Sequence, residues 1–108
     1  MFDELIEWAR DNKENFKLKG INTVKYLVNE HGVCIAHETK NCMGQVAVNK
    51  EGHFDIEIYE INSGIKLMQS NFAFQKKFNE DLISSYIRIL LESTKQIPSD
   101  SFNKITDV

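Results

Sequence analysis

The stretch GQVAVNKEGHFDIEIYEINSG, residues 44–64, decides the fold. Phe54, Ile56 and Ile58 alternate with Asp55, Glu57 and Tyr59, and Val46 and Val48 alternate with Gln45, Ala47 and Asn49. A period of two places one set of side chains on each face of a strand, so both runs predict strands with an apolar and a polar side. Asn49-Lys50-Glu51-Gly52 separates them. Asn at the first position and Gly at the fourth favour a type I turn closed by a left-handed glycine, and the pair of runs predicts an antiparallel hairpin.

Outward from this hairpin the same turn chemistry recurs. Asn29-Glu30-His31-Gly32 and Asn41-Cys42-Met43-Gly44 share the Asn-x-x-Gly form, and Asn62-Ser63-Gly64 is a relative. Val24, Tyr26 and Val28 mark a strand before the first turn, Val33 and Ile35 one after it, and Ile65, Leu67, Phe72 and Phe74 a last one. Four turns about a dozen residues apart predict a five-stranded antiparallel meander.

The period changes at both ends. Phe2, Leu5, Ile6 and Ala9 follow the i, i+3, i+4, i+7 spacing of one buried helix face, with Trp8 and Phe16 beside it. Asp3, Glu4 and Glu7 open this segment, Lys17 and Lys19 close it, and Gly20 follows, an order that suits the helix dipole and a glycine stop. Phe78, Leu82, Ile83, Tyr86, Ile87 and Leu90 give a second helix, expected over residues 77–95, its apolar face, with Asn79 as a candidate cap. Pro98 excludes continuation of the helix.

The fold class expected is therefore α+β: an N-terminal helix, a five-stranded antiparallel meander and a C-terminal helix. Both helices should pack on one sheet face, because their apolar stripes need a common partner surface. The core expected is Leu5, Ile6, Ala9, Val46, Val48, Phe54, Ile56, Ile58, Leu82, Ile83, Tyr86 and Leu90. Residues 1–96 should form this single domain and residues 97–108 a polar, flexible tail.

Bulk chemistry narrows the function classes. A chain of 108 residues with 42% hydrophobic and 27% charged residues is ordinary for one globular domain. A net charge of −3 and a single adjacent basic pair, Lys76-Lys77, disfavour nucleic acid as a partner. No run of apolar residues approaches the ~18 a membrane helix needs, and the sequence starts without a basic signal-peptide opening, so no membrane and a cytoplasmic location are expected.

The candidate chemical groups form no catalytic or metal motif. Cys34 and His37 are three apart on one predicted strand and so face opposite ways, and neither Cys34 nor Cys42 belongs to a close ligand pair. His53 and Asp55 share a strand face without a nucleophile motif nearby. The expectation is no cofactor and no metal, with the thiols as small buried groups and the histidines at turns or edges. Asp55, Glu57 and Glu60 form an acidic run around Tyr59. Solvation alone explains such a run. As a site, Asp55, Glu57, Tyr59 and Glu60 suit a contact with a basic protein, since tyrosine favours interface centres and acids steer cationic partners.

Three stretches carry a family resemblance: FDELIEWARDNKENFKLKGI at the start, the residue 44–64 hairpin in the middle, and FAFQKKFNEDLISSYIRILLES toward the end. In this pattern of elements, over about residues 2–93, the chain resembles the TriTu-type immunity proteins of bacterial polymorphic-toxin loci. The resemblance implies a cytoplasmic antitoxin that binds and blocks a cognate toxin; separately from it, no enzyme activity is expected, and a homodimer is a further option. It carries over no individual functional residue. Two other readings stay open at this stage: an acidic chaperone for a secreted effector, and a small enzyme or ligand-binding domain with a cleft between sheet and helices. Thiol titration under denaturing, non-reducing conditions should find both cysteines free, and protein purified without chelator should carry no stoichiometric zinc; one zinc per chain would overturn the reading of the cysteines.

Overall fold

The computed structural model describes residues 2–72 and 80–95; the expectations for Phe74, the Asn79 cap and the 97–108 tail lie outside these residues. The order is α1 (Phe2–Leu18), β1 (Asn22–Asn29), β2 (Gly32–Glu38), β3 (Cys42–Asn49), β4 (Phe54–Glu60), β5 (Lys66–Phe72) and α2 (Glu80–Lys95). The strands form one antiparallel sheet in sequence order, β1-β2-β3-β4-β5. This is the expected α+β meander.

The turn of the deciding hairpin is held by the Asn49 side chain and backbone. The Asn49 carboxamide oxygen accepts from the Glu51 and His53 amides at 3.0 and 2.9 Å, and the Gly52 amide donates to the Asn49 carbonyl at 3.0 Å. Gly52 sits at φ 88°, where a side chain would be strained. This fixes the register, with Val48 opposite Phe54 and Val46 opposite Ile56. Val46, Val48, Phe54, Ile56 and Ile58 all fall on the buried face, where a shift of one residue would expose every one of them.

The helices lie on that same face, α1 over β1 and β2, α2 over β3 and β4. α1 ends in a Schellman closure. The Ile21 amide donates to the Phe16 carbonyl at 2.8 Å and the Gly20 amide to the Lys17 carbonyl at 3.1 Å, with Gly20 at φ 89°. Phe16 and Ile21, which this motif brings together, are both buried. Leu5, Ala9, Ile83, Tyr86 and Leu90 fill the space between helices and sheet as expected, while Ile6 is only partly buried against it. The Leu82 side chain lies outside the described residues.

Four expectations change. The histidines do not all sit at turns or edges: His37 is fully buried on the helix-covered face. Its ring meets Trp8, Phe16 and Tyr86 edge-on, with centroids 6.0, 5.9 and 5.6 Å away. Its Nδ1 is 2.8 Å from the Tyr86 hydroxyl. Second, Asn41–Gly44 is not a turn. Thr39 Oγ1 accepts from the Cys42 amide at 3.0 Å and the Thr39 amide donates to the Cys42 carbonyl at 2.9 Å, so the reversal closes earlier and Cys42 already starts β3. Third, positive φ occurs at Gly52 and Gly64 of the four turn glycines but not at Gly32 or Gly44, which belong to strands. Fourth, Ile65 and Leu67 do not mark the buried side of β5. An irregularity between Ile58 and Tyr59 shifts the pairing, so Met68 opposes Ile58 and packs on the core while Ile65 and Leu67 stay exposed.

Gly44 has a packing role. It stands directly across from His37. A Cβ there would lie 2.7 Å from the Tyr86 hydroxyl and 2.8 Å from its Cε1. The missing side chain is what lets the Tyr86 ring reach the sheet and meet His37. Gly44→Ala should therefore destabilise the fold by about 1–3 kcal/mol through overpacking. In a Tyr86→Ala background the same change should cost markedly less, and denaturant unfolding of the four proteins in the cycle reads the difference. Equal costs in both backgrounds would show that the glycine serves something else.

Candidate partner-binding face

The sheet has a second face, which neither helix covers. Three cross-strand rows make it up. Leu27, Cys34, Ala47 and Asp55 follow one another across β1 to β4; Lys25, Ala36, Gln45 and Glu57 form the next row; Glu38, Met43 and Tyr59 the third. The middle of this face is built of small side chains, Cys34, Ala36 and Ala47, so the surface is low there. The β4 residues stand along one side of it.

Alternation along β4 places Asp55, Glu57 and Tyr59 on this face, and it places Glu60 on the other. Glu60 pairs across to Cys42, which is buried on the helix-covered side. Of the four candidate residues, three are therefore brought together and the fourth is separated. Asp55 is exposed, while Glu57 and Tyr59 are half-buried. The Tyr59 hydroxyl donates to the Glu57 carboxylate at 2.9 Å. Lys66 from β5 lies over the Tyr59 ring, its Nζ 5.3 Å from the centroid, and donates to Gln69 at 2.9 Å. Asn71 stands opposite Asp55, and its amide, turned with the nitrogen toward the carboxylate, donates to Oδ1. The row is thus a set of side chains fixed by neighbours rather than a run of freely solvated acids. Sequence pattern supplied the row itself; the Lys66 and Asn71 partners depend on the β4–β5 register and carry no local signal.

The groups with shifted acidities lie elsewhere. Burial pushes the His37 imidazole down to about 4. Burial raises the Tyr86 phenol above its usual range. Burial also raises the Cys42 thiol, opposed by a hydrogen bond from Ser93 and assisted by the nearby Glu60 carboxylate. All three side chains sit in the core under the helices. Cys34 and Cys42 are on opposite sheet faces, which separates the two thiols. A second polar cluster joins the β2–β3 reversal to α2: Thr39 Oγ1 is 2.8 Å from Ser93 Oγ, and the Asn41 amide donates to the Ser93 carbonyl. These buried polar groups work as internal ties. Among the described residues no three His, Cys, Asp or Glu side chains are grouped to hold a metal ion, and no helix is long and apolar enough to cross a membrane.

A five-stranded sheet packed under two helices on one side, with neither helix on the other, defines a small α+β domain. The family model described as Immunity protein TriTu matches residues 3–90, and the chain belongs to that family. Immunity is thus its general role. No curated protein and no solved structure matched the chain.

The buried histidine makes stability depend on pH. His37 is neutral in the folded protein down to about pH 4, whereas the unfolded chain takes up its proton near pH 6.5. The unfolded state binds more protons between these values, so stability should fall as pH drops from 6.5 toward 4, by up to roughly 3 kcal/mol from this group. Denaturant unfolding at several pH values, compared with His37→Phe, isolates the contribution. The variant should lose that part of the slope; an identical slope in both proteins would show that His37 protonates as easily folded as unfolded.

Proposed function

We propose that this chain neutralises a cognate toxin by binding it through the uncovered sheet face, with Asp55, Glu57 and Tyr59 in the contact. The observation that carries this reading is the arrangement of that face: a low centre of small residues with an ordered acid–tyrosine row along one side. Small residues let a partner approach closely, the tyrosine offers a large amphipathic contact, and the acids attract a cationic surface. Glu60, on the opposite face, takes no part.

The protein acts in the cytoplasm by occupying the toxin and carries out no reaction of its own. In support of a non-enzymatic role, the groups with perturbed acidity are directed into the core and away from the open face. Membership in an immunity family supports a protein target.

The test is complex formation with the toxin domain encoded beside it. Wild-type protein should associate faster at low ionic strength than at high. Asp55→Lys combined with Glu57→Lys should slow association by about tenfold or more and flatten the salt dependence, with little change in thermal stability. Tyr59→Ala should act mainly on dissociation. A double variant that binds as fast and protects cells as well as wild type would move the contact away from this face.

A further inference from the structure

β1 is an edge strand with few of the features that usually protect an edge. It has eight residues and, among the described residues, pairs only with β2. It holds no proline, and its one charged residue is Lys25. Val24, Tyr26, Leu27 and Val28 are 49%, 45%, 46% and 46% exposed. Edge strands normally carry several charges, a proline or a covering segment, because their outward amides and carbonyls otherwise template another strand. Here the one irregularity is a register shift between Thr23 and Lys25.

Beside this edge runs a groove of about 310 Å³ between α1 and β1. Arg10 and Lys13 line it from α1, Lys25 borders it from β1, where the register sets it on the same side as Leu27, and no carboxylate is among its lining residues. Within a chain of net charge −3, this is a local concentration of positive charge. Thr23, which also lines the groove, holds its hydroxyl out of solvent with no hydrogen-bond partner among the described residues.

We propose that β1 is a receptor strand: an extended segment of a partner protein, with carboxylates at every second position, adds to β1 as a sixth strand. Period two sends its acids to the side of Arg10 and Lys13 and its apolar residues to the side of Leu27. The outward backbone groups of β1 supply affinity, and Arg10 and Lys13 select the sequence. A second copy of this chain suits the edge poorly, since β1 against β1 would bring two sets of Arg10, Lys13 and Lys25 together. This surface is separate from the Asp55–Glu57–Tyr59 row, and either can fail without the other.

The probe is a blocked peptide of about eight residues alternating glutamate and valine, long enough to match the strand. It is titrated into the full-length ¹⁵N-labelled protein. Amide shifts should concentrate at residues 22–29 and on the adjoining turn of α1, and β1 amides should exchange more slowly when the peptide is bound. Arg10→Gln with Lys13→Gln should weaken binding by about tenfold at low salt, and a lysine–valine peptide should not bind. N-methylation of alternate peptide amides should abolish binding. Equal binding of the N-methylated peptide would reduce the groove to an anion site and overturn strand addition. Shifts confined to other strands, or no binding at all, would overturn it too. A concentration-dependent dimer that the peptide cannot dissociate would make a second copy the occupant instead.

Discussion

The contact between His37 and Tyr86 across Gly44 is the constraint on which the arrangement of layers depends. It joins β2, β3 and α2 at one point, and Trp8 and Phe16 bring α1 to the same point. A histidine taken out of water keeps its place only if its polar atoms are accommodated. Here one nitrogen meets the Tyr86 hydroxyl, while Nε2 has no partner among the described residues. The ring's remaining surroundings are aromatic edges and faces, which hold it through packing and quadrupole contacts. Burial in this box keeps the imidazole neutral. The geometry is demanding, because the hydroxyl must reach Nδ1 while the phenol ring lies over a residue with no side chain. That requirement fixes the height and rotation of α2 above the sheet more narrowly than an aliphatic contact would.

A second tie acts at the far end of α2. Thr39, Asn41 and Ser93 are all buried and bonded to one another, and the Ser93 hydroxyl also donates to the Leu90 carbonyl at 2.7 Å. The β2–β3 reversal is thus fastened to the helix rather than left as a solvent loop. The Ile61 amide donates to the Asn41 carbonyl at 2.8 Å and draws the β4–β5 connection into the same cluster. With ties at two places along its length, α2 cannot swing across the sheet, and its position leaves the opposite sheet face uncovered.

Much of the architecture was legible because it rests on local signals. Alternation in residues 44–64, the Asn49–Gly52 turn and the Gly20 stop each act within a few residues, and each appears where the pattern places it. The errors arise where a long-range contact overrides a local one. Asn41-Cys42-Met43-Gly44 has turn composition, yet Asn41 is bound to Ser93, 52 positions away, and Gly44 is kept small by Tyr86. His37 looked like an edge residue because alternation alone cannot distinguish a polar residue on the buried face from one that ends the strand. The placement of the candidate row on the sheet was legible to the same depth. Period two separates Asp55, Glu57 and Tyr59 from Glu60, so grouping all four by proximity in sequence set aside the alternation that had defined the strand.

The two uncovered surfaces differ in kind, and the difference follows from where each lies in the sheet. The open face is crossed by five strands, so its chemistry is set by side chains, and the backbone beneath is already paired. In the proposed contact, selectivity comes from the Asp55–Glu57–Tyr59 row and the low Cys34–Ala36–Ala47 centre. At β1 the proposed binding element is the outward backbone itself, with Arg10 and Lys13 adding charge at one side. The first surface suits a folded, cationic patch, and the second suits an extended, acidic chain. Opposite charge on neighbouring surfaces also discriminates between partners: a segment drawn to the edge is repelled by the acids of the face, and a cationic patch drawn to the face is repelled by the edge. A protein of net charge −3 can in this way present two oppositely charged surfaces of different shape without either masking the other.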